Sequence, residues 1–173
     1  MNTGGDPGDE PVEIVDRSGR AQRVVPRREM RAGNLWHRNV AVVVRRPGGA
    51  IVVHRRADWK DVHPSHWDIA FGGVPGVGES DPEAAVRELA EEAGLDVAAD
   101  ALGDLGRAVH EDQHTRWVGR FFVVTTAAPL RPVDGEVAEL AEVPVAGLDE
   151  WATTVAVCPD AAPLLAILRA EMT

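Results

Sequence analysis

The stretch that decides the fold is residues 72–95, which read GGVPGVGESDPEAAVRELAEEAGL. Ser80 can cap a helix, because its side-chain oxygen accepts a backbone N–H and Glu83, three residues later, completes a capping box. Gly94 predicts the end of that helix, since a residue without a Cβ adopts the left-handed conformation most easily. The sequence therefore predicts a helix between Ser80 and Gly94, preceded by a glycine-rich loop.

The predicted helix has an apolar stripe and an acidic face. The stripe consists of Ala85, Val86, Leu89 and Ala93. At about 100° per residue, Glu88, Glu91 and Glu92 fall within roughly 100° of one another. Carboxylates so close repel each other, so we expect something in the structure to offset that cost.

Two interpretations of the acidic face stay open on the residues alone. In the first, the three carboxylates are exposed to water and Arg87 pairs with Glu83 or Glu91. In the second, they are oxygen ligands for a hard cation, because Mg²⁺ and Mn²⁺ prefer oxygen ligands and keep water for chemistry.

The glycine, the acids and the arginine of this stretch have a characteristic spacing. Gly73 is followed after five residues by Glu79, and seven more residues lead to Arg87-Glu88-Leu89-Ala90-Glu91-Glu92-Ala93-Gly94-Leu95. This arrangement resembles the Nudix box, Gly-x5-Glu-x7-Arg-Glu-apolar-x-Glu-Glu-x-Gly-apolar, at every fixed position. The resemblance implies an α+β fold, with a mixed β-sheet sandwiched between α-helices, and hydrolysis of a nucleoside diphosphate linked to another moiety.

The resemblance also implies roles for single residues. Glu91 and Glu92 are similar to the main metal ligands of the family, and Glu88 to a third ligand or a base that acts on water. The backbone carbonyl of Gly73 completes such sites in many members. The implied cofactor is Mg²⁺ or Mn²⁺, which would neutralise diphosphate oxygens and lower the pKa of bound water.

Two further residues of the motif have supporting roles. Glu79 and Arg87 resemble the pair that braces the loop against the helix and so positions the ligands. We expect Glu92→Gln to abolish turnover with little loss of folding, on the assumption that Glu92 lies on an exposed helix face.

Outside the motif, a weaker resemblance covers residues 12–150 and points to the branch that contains isopentenyl diphosphate isomerase. The matching stretches are residues 15–20, 36–38 and 54–57. In that branch an arginine and a downstream lysine contact the substrate diphosphate, and Arg56 and Lys60 stand at those positions. An exposed strand end is the alternative for Arg56.

The isomerase itself fits poorly. Its chemistry needs a cysteine near the position of Phe71 and histidine ligands near Met30 and Gly73, and this sequence has neither. Only His37 matches. Cys158 lies far along the chain, which predicts a buried or incidental thiol, so the sequence favours hydrolysis.

Composition and net charge limit the classes of binding partner and the cellular compartment. The chain has 173 residues, 45% of them hydrophobic, and a formal net charge of −10. That charge argues against a general nucleic-acid binder, which needs a basic face. The single cysteine fits a reducing compartment, and no apolar run is long enough for a membrane span, so we predict a cytoplasmic protein. The resemblance to the Nudix family implies that its partner is a small-molecule diphosphate. Since many Nudix proteins form dimers, a homodimer is a further expectation.

The pattern along the chain predicts one domain. Residues 1–11 are expected to form a flexible tail and residues 12–173 a single Nudix hydrolase domain. Two hairpins are expected at residues 12–25 and 39–54, a short helical turn at residues 27–31, further strands at 67–71, 102–110, 116–126 and 137–143, and an amphipathic helix at 161–172.

Several weaker candidates remain. Glu136 or Glu139 resembles a segment that supplies a further acid in this superfamily, and Glu111 and Asp112 have a smaller claim. Loop histidines occur in two pairs with the spacing of zinc ligands, but no cysteine or acid has matching spacing. These pairs are His63 with His66 and His110 with His114.

Three tryptophans have two possible roles. Trp59, Trp67 and Trp117 could stack on a base or pack in the core, and packing is favoured for Trp67 and Trp117.

Two alternatives to a hydrolase also stand on the sequence: an isomerase of prenyl diphosphates and a non-enzymatic nucleotide-binding module with the Nudix fold. The intact set of acids argues against the second.

Overall fold

The computed structural model describes residues 6–133 and 135–171, and this part of the chain forms nine β-strands and four α-helices. The strands are β1 (Pro11–Val15), β2 (Ala21–Pro26), β3 (His37–Arg45), β4 (Ala50–Arg56), β5 (Trp67–Asp68), β6 (Phe71–Gly73), β7 (Gly103–Glu111), β8 (Arg116–Thr125) and β9 (Val137–Pro144). The helices are α1 (Arg27–Ala32), α2 (Asp81–Ala93), α3 (Leu148–Thr154) and α4 (Ala162–Glu171).

Strand β3 is the hub of a mixed sheet. It runs parallel to β8 along its whole length and antiparallel to β1, β4 and β6. Strands β7 and β8 form an antiparallel pair, and β4 pairs antiparallel with β5 and β9. The predicted α+β fold with a mixed sheet is therefore confirmed.

Both faces of the sheet are covered, which explains the nearly continuous apolar run in β3. Val40, Val42 and Val44 belong to the core on the α2 side. Val43 belongs to the core that includes the apolar side chains of α3 and α4. Because successive side chains of a strand point to opposite faces, one valine-rich strand supplies both cores.

The central strands separate, and this opens a cavity. Strands β3 and β4 pair only at Val44 with Val52 and at Arg45 with Ile51. Beyond these pairs β3 continues alongside β6, whereas β4 continues alongside β5 and β9. A cavity lies here, and it is lined by residues of both diverging strands.

Helix α2 begins and ends as predicted. Ser80 and Glu83 form the capping box, and Gly94 adopts the left-handed conformation with φ of 61°. A side chain on Gly94 would also meet the backbone carbonyl oxygen of Arg131 at 2.0 Å, so glycine is required there on two grounds. One detail of the apolar stripe was wrong: Val86 is only half-buried, whereas Ala84 is fully buried.

The other element predictions are confirmed in type and position, with two differences. The strand expected at residues 67–71 is divided into β5 and β6, and helix α3 was not predicted. Of the predicted tail, residues 1–5 lie outside the described residues; residues 7–9 form a 3₁₀ turn, and β1 begins at Pro11. In the described part of the chain, no helix combines the length and the apolar character that a membrane crossing requires.

Candidate functional site

The acidic face of α2 borders the cavity between β3 and β4, which has a volume of about 480 Å³. Glu88, Glu91 and Glu92 all line this cavity, and so do Gly73, Arg56, Lys60 and Glu136. The structure thus places the predicted metal-binding and substrate-binding residues around one cavity, although they come from four separate parts of the sequence.

Glu92 is the most buried of the acids. It is only 5% exposed, and its Oε2 accepts a hydrogen bond of 2.9 Å from the backbone N–H of Gly72. Burial and the neighbouring carboxylate of Glu88 raise the pKa of Glu92 well above its usual range. The expectation that Glu92 lies on an exposed face is therefore wrong, because strand β6, which contains Gly72, packs against α2.

Glu88 lies directly against Gly73. A Cβ on Gly73 would be 2.6 Å from Glu88 Oε1, so the absence of a side chain leaves room for this carboxylate. Burial raises the pKa of Glu88, although the guanidinium of Arg87 opposes the shift. Gly73 and Glu88 are thus packed against each other where β6 meets α2.

Arg87 binds three carboxylates. Its Nε and Nη2 donate to the two oxygens of Glu79 at 3.0 and 2.9 Å, and its Nη1 donates to Glu88 at 2.8 Å and to Glu91 at 3.1 Å. Hydrogen bonding from Arg87 lowers the pKa of Glu79. This fork links the loop to the helix, and it offsets part of the repulsion within the acidic face.

Glu79 also closes its own loop. Its Oε2 accepts a hydrogen bond of 2.7 Å from the backbone N–H of Gly76. The sequence offered Glu83 and Glu91 as ion-pair partners of Arg87, and the pair with Glu91 is confirmed. Glu83 instead bonds to Ser80 in the capping box.

A fourth acid and two cations complete this end of the cavity. Glu136 forms an ion pair with Lys60, which lowers the pKa of Glu136 against the opposing effect of burial. The charge of Glu136 also contributes to the raised pKa values of Glu88 and Glu92. Arg56 is half-buried, and its Nε donates to the carbonyl oxygen of Val62 at 3.3 Å, so it is not an exposed strand end.

The chemistry of these donors suits a hard divalent cation, although the side chains as they stand do not converge on one point. Four carboxylates supply only oxygen ligands. Glu91 is exposed, but the like charges of the buried or half-buried Glu88, Glu92 and Glu136 favour a cation between them. Within residues 6–133 and 135–171, however, no three His, Cys, Asp or Glu side chains are placed so that together they could hold a metal. Arg87 holds Glu88 and Glu91, and Lys60 holds Glu136, so a metal would compete with these two cations.

The weaker acidic candidates lie elsewhere or have other partners. Glu139 pairs with Arg55 on the surface, and Glu111 pairs with Arg116; neither lines the cavity. Asp112 accepts two backbone hydrogen bonds of 2.7 Å within its loop. The ring of His63 lies 5.5 Å from that of His66 and 5.9 Å from that of His114, but these residues form no group that could hold a metal in the described structure.

The tryptophans divide between core and surface. Trp117 is 3% exposed and packs in the core, and the half-buried Trp67 packs against the same core, as favoured from the sequence. Trp59 is 60% exposed at the cavity, with Lys60 Nζ 5.7 Å from its ring centroid.

The sequence did not indicate several residues of the cavity wall. Arg31 of α1, Asp68 of β5 and Asp160 all line it. Cys158 is buried there, and burial together with the carboxylates of Asp68 and Asp160 raises the pKa of its thiol. The sequence gave no signal for Arg31, because α1 contains three arginines and only the packing of that helix shows which of them line the cavity.

Comparisons with known proteins agree with the motif and the fold. The model of the NUDIX domain family matches residues 35–160. An uncharacterized Nudix hydrolase of Streptomyces coelicolor is 35% identical over 94% of this chain and 90% of its own length, and one of Pseudomonas aeruginosa is 33% identical over 86% and 87%. A crystal structure from Deinococcus radiodurans covers 92% of this chain and 98% of its own with a TM-score of 0.73, at 21% identity. The chain therefore belongs to the Nudix family and is a Nudix hydrolase.

Proposed function

We propose that the protein hydrolyses a diphosphate bond in a nucleoside-diphosphate-linked or related organic diphosphate, with Mg²⁺ or Mn²⁺ as cofactor. The observation that carries this proposal is that Glu88, Glu91, Glu92 and Glu136 all line one cavity, which Arg56 and Lys60 line as well. Such a cavity offers oxygen ligands to a cation beside positive side chains that suit phosphate.

The proposed ligands are Glu88, Glu91 and Glu92, with the carbonyl of Gly73 and, as a further acid, Glu136. A bound divalent cation would supply neutralisation of the diphosphate oxygens and a water of lowered pKa. Glu88 suits proton transfer as well, because burial raises its pKa above that of an ordinary carboxylate. Glu79 and Arg87 then act as positioning residues for the helix face.

Substrate binding is proposed for Arg56 and Lys60. Arg56 presents a guanidinium that can hold two phosphate oxygens, whereas Lys60 is a mobile point charge. Lys60 bonds to Glu136, so a substrate phosphate would draw Lys60 away from that carboxylate. The same movement would leave Glu136 available to a cation.

Prenyl diphosphate isomerisation is the alternative, and the structure offers it little support. Phe71 stands where the isomerase needs a cysteine, and its buried ring stacks on His54 with centroids 4.6 Å apart. Cys158 lines the cavity, but its raised pKa keeps the thiol protonated. We therefore expect no isotope exchange into isopentenyl diphosphate.

The proposal is tested by a substrate panel read by phosphate release, with inorganic pyrophosphatase or phosphatase added to convert the products. The panel contains nucleoside diphosphates linked to sugars, nucleosides or phosphate, each with Mg²⁺, with Mn²⁺ and with excess chelator. Cation-dependent turnover of at least one compound is expected. Absence of turnover in both metals, or turnover that survives the chelator, would contradict the proposal.

A further inference from the structure

Helix α1 presents two arginines to the cavity, and they differ in their partners. Arg27 and Arg31 stand one turn apart and both line the cavity. Arg27 is paired, with its Nη2 2.7 Å from Glu10 Oε2. The guanidinium of Arg31, by contrast, has neither a hydrogen bond nor an ion pair among residues 6–133 and 135–171.

The surroundings of Arg31 are unfavourable for an isolated cation. Arg31 is half-buried, and burial, followed by the positive charge of Arg27, lowers its pKa. Arg56 adds a further positive charge nearby. An arginine stays protonated in proteins, so it cannot escape the cost of desolvation by losing its proton. Asp61 and Asp160 reduce that cost from a distance, but neither forms an ion pair with Arg31.

Arg56 lies near both Arg31 and one of the carboxylates that line the cavity. Its charge acts both on Arg31 and on Glu136, so it stands near each of them. A diphosphate held by Arg56 and Lys60 near the carboxylates would therefore leave Arg31 for a different group of the same ligand. The volume of about 480 Å³ is within the range of pockets for whole organic ligands, which leaves room beyond a diphosphate.

We propose that Arg31 forms an anion-binding subsite next to the diphosphate site of Arg56 and Lys60, and that the preferred substrates carry a phosphate monoester on the moiety beyond the cleaved diphosphate. This inference rests on the proposed function. The guanidinium of Arg31 lines the cavity without a partner of its own among the described residues, and an arginine can hold two oxygens of a dianionic phosphate at once. In a chain with a net charge of −10, such a subsite would also offset the general repulsion of a polyanionic ligand.

The test is calorimetric binding to the metal-free protein, which separates binding from hydrolysis. Two matched pairs serve as probes: NADPH with NADH, and coenzyme A with its 3′-dephospho form. The compounds of each pair share a diphosphate and differ by one phosphate monoester. The variants are Arg31→Gln and, as control on the same helix, Arg28→Gln, whose exposed guanidinium pairs with Asp9.

The wild-type protein is expected to bind the phosphorylated member of at least one pair at least 10-fold more tightly. Arg31→Gln should abolish that preference, and Arg28→Gln should retain it. Arg31→Lys, which keeps the charge but loses the fork, should show an intermediate preference. If Arg31→Gln fails to fold, the preference of Arg31→Lys for the phosphorylated member of each pair tests the inference instead.

Equal affinity within both pairs for the wild-type protein, or an undiminished preference in the Arg31 variants, would overturn the inference. Failure of the proposed function has a different signature, since no member of the substrate panel would then be hydrolysed with Mg²⁺ or Mn²⁺, whatever the binding measurements show.

Discussion

The carboxylate of Glu92 accepts a hydrogen bond of 2.9 Å from the backbone N–H of Gly72, and this contact fixes the last turn of α2 against β6. It joins a side chain of the acidic face to the residue that precedes Gly73. Strand β6 and helix α2 therefore position the carboxylates as one unit, and the predictions for Glu92, Gly73 and Arg87 depend on that unit.

Glu92→Gln is expected to lower kcat by at least about 100-fold while the protein stays folded. The amide oxygen of glutamine can still accept the hydrogen bond from Gly72, but the side chain can no longer bind a cation as a carboxylate. Removal of a buried acid with a raised pKa also relieves repulsion from Glu88, so the melting temperature should not fall. The measurement is steady-state hydrolysis together with thermal unfolding, and retained turnover would remove Glu92 from the proposed ligands.

Gly73→Ala should impair the site more than the fold. The new Cβ would lie 2.6 Å from Glu88 Oε1, which is the movable end of a side chain, so Glu88 is displaced and kcat should fall at least about 10-fold. Gly72→Ala meets the backbone carbonyl oxygen of Val40 at 2.0 Å, so it should instead destabilise the protein by about 3 kcal/mol or more.

The matched control for both glycine variants is Gly48→Ala, because nothing lies within 4 Å of its added Cβ. Chemical denaturation and activity measured on the three variants separate loss of folding from loss of positioning. Equal activity of Gly73→Ala and Gly48→Ala would show that the contact between Gly73 and Glu88 is unimportant.

Arg87→Lys should lower kcat and the apparent affinity for Mg²⁺, each by about 10-fold to 100-fold, as expected when a residue that orients metal ligands is changed. Lysine keeps the charge but has three N–H donors on a single nitrogen, so it cannot reproduce the four hydrogen bonds that Arg87 donates to carboxylates from three nitrogens. Activity is measured against Mg²⁺ concentration. The control is Arg107→Lys, whose side chain is 58% exposed and pairs with Asp81 at 3.5 Å; similar profiles for the two variants would contradict a positioning role.

His37 should make the protein less stable as the pH falls. Burial lowers the pKa of His37 from 6.5 to about 4 in the folded state, so between these values the unfolded chain binds a proton that the folded chain does not. The contribution to stability is present above pH 6.5 and is lost as the pH falls towards 4, by about 3 kcal/mol at most.

The check is the free energy of unfolding from pH 4.5 to 7.5. His37→Asn should flatten that profile relative to the wild-type protein, whereas His114→Asn, in an exposed loop, should reproduce it. An unchanged slope for His37→Asn would show that His37 does not titrate in this way.

Local patterns in the sequence predicted α2 and its acidic face, because the capping box, Gly94 and the helical spacing all lie within one short stretch. They could not predict the burial of Glu92, which depends on how β6 pairs with β3 and brings Gly72 over the helix. Lys60 and Glu136 were both identified, but their contact joins residues 76 positions apart. Arg31 was missed for the same reason, since its exposure to the cavity follows from the packing of α1.

The most direct test of the central claim is Mn²⁺ binding, followed by electron paramagnetic resonance. The wild-type protein is expected to bind Mn²⁺, Glu92→Gln to bind it at least 10-fold more weakly, and Glu139→Gln, which changes a surface acid outside the cavity, to bind it like the wild type. Absence of bound Mn²⁺ in the wild-type protein, or equal affinity in Glu92→Gln, would contradict a cation site on the acidic face of α2.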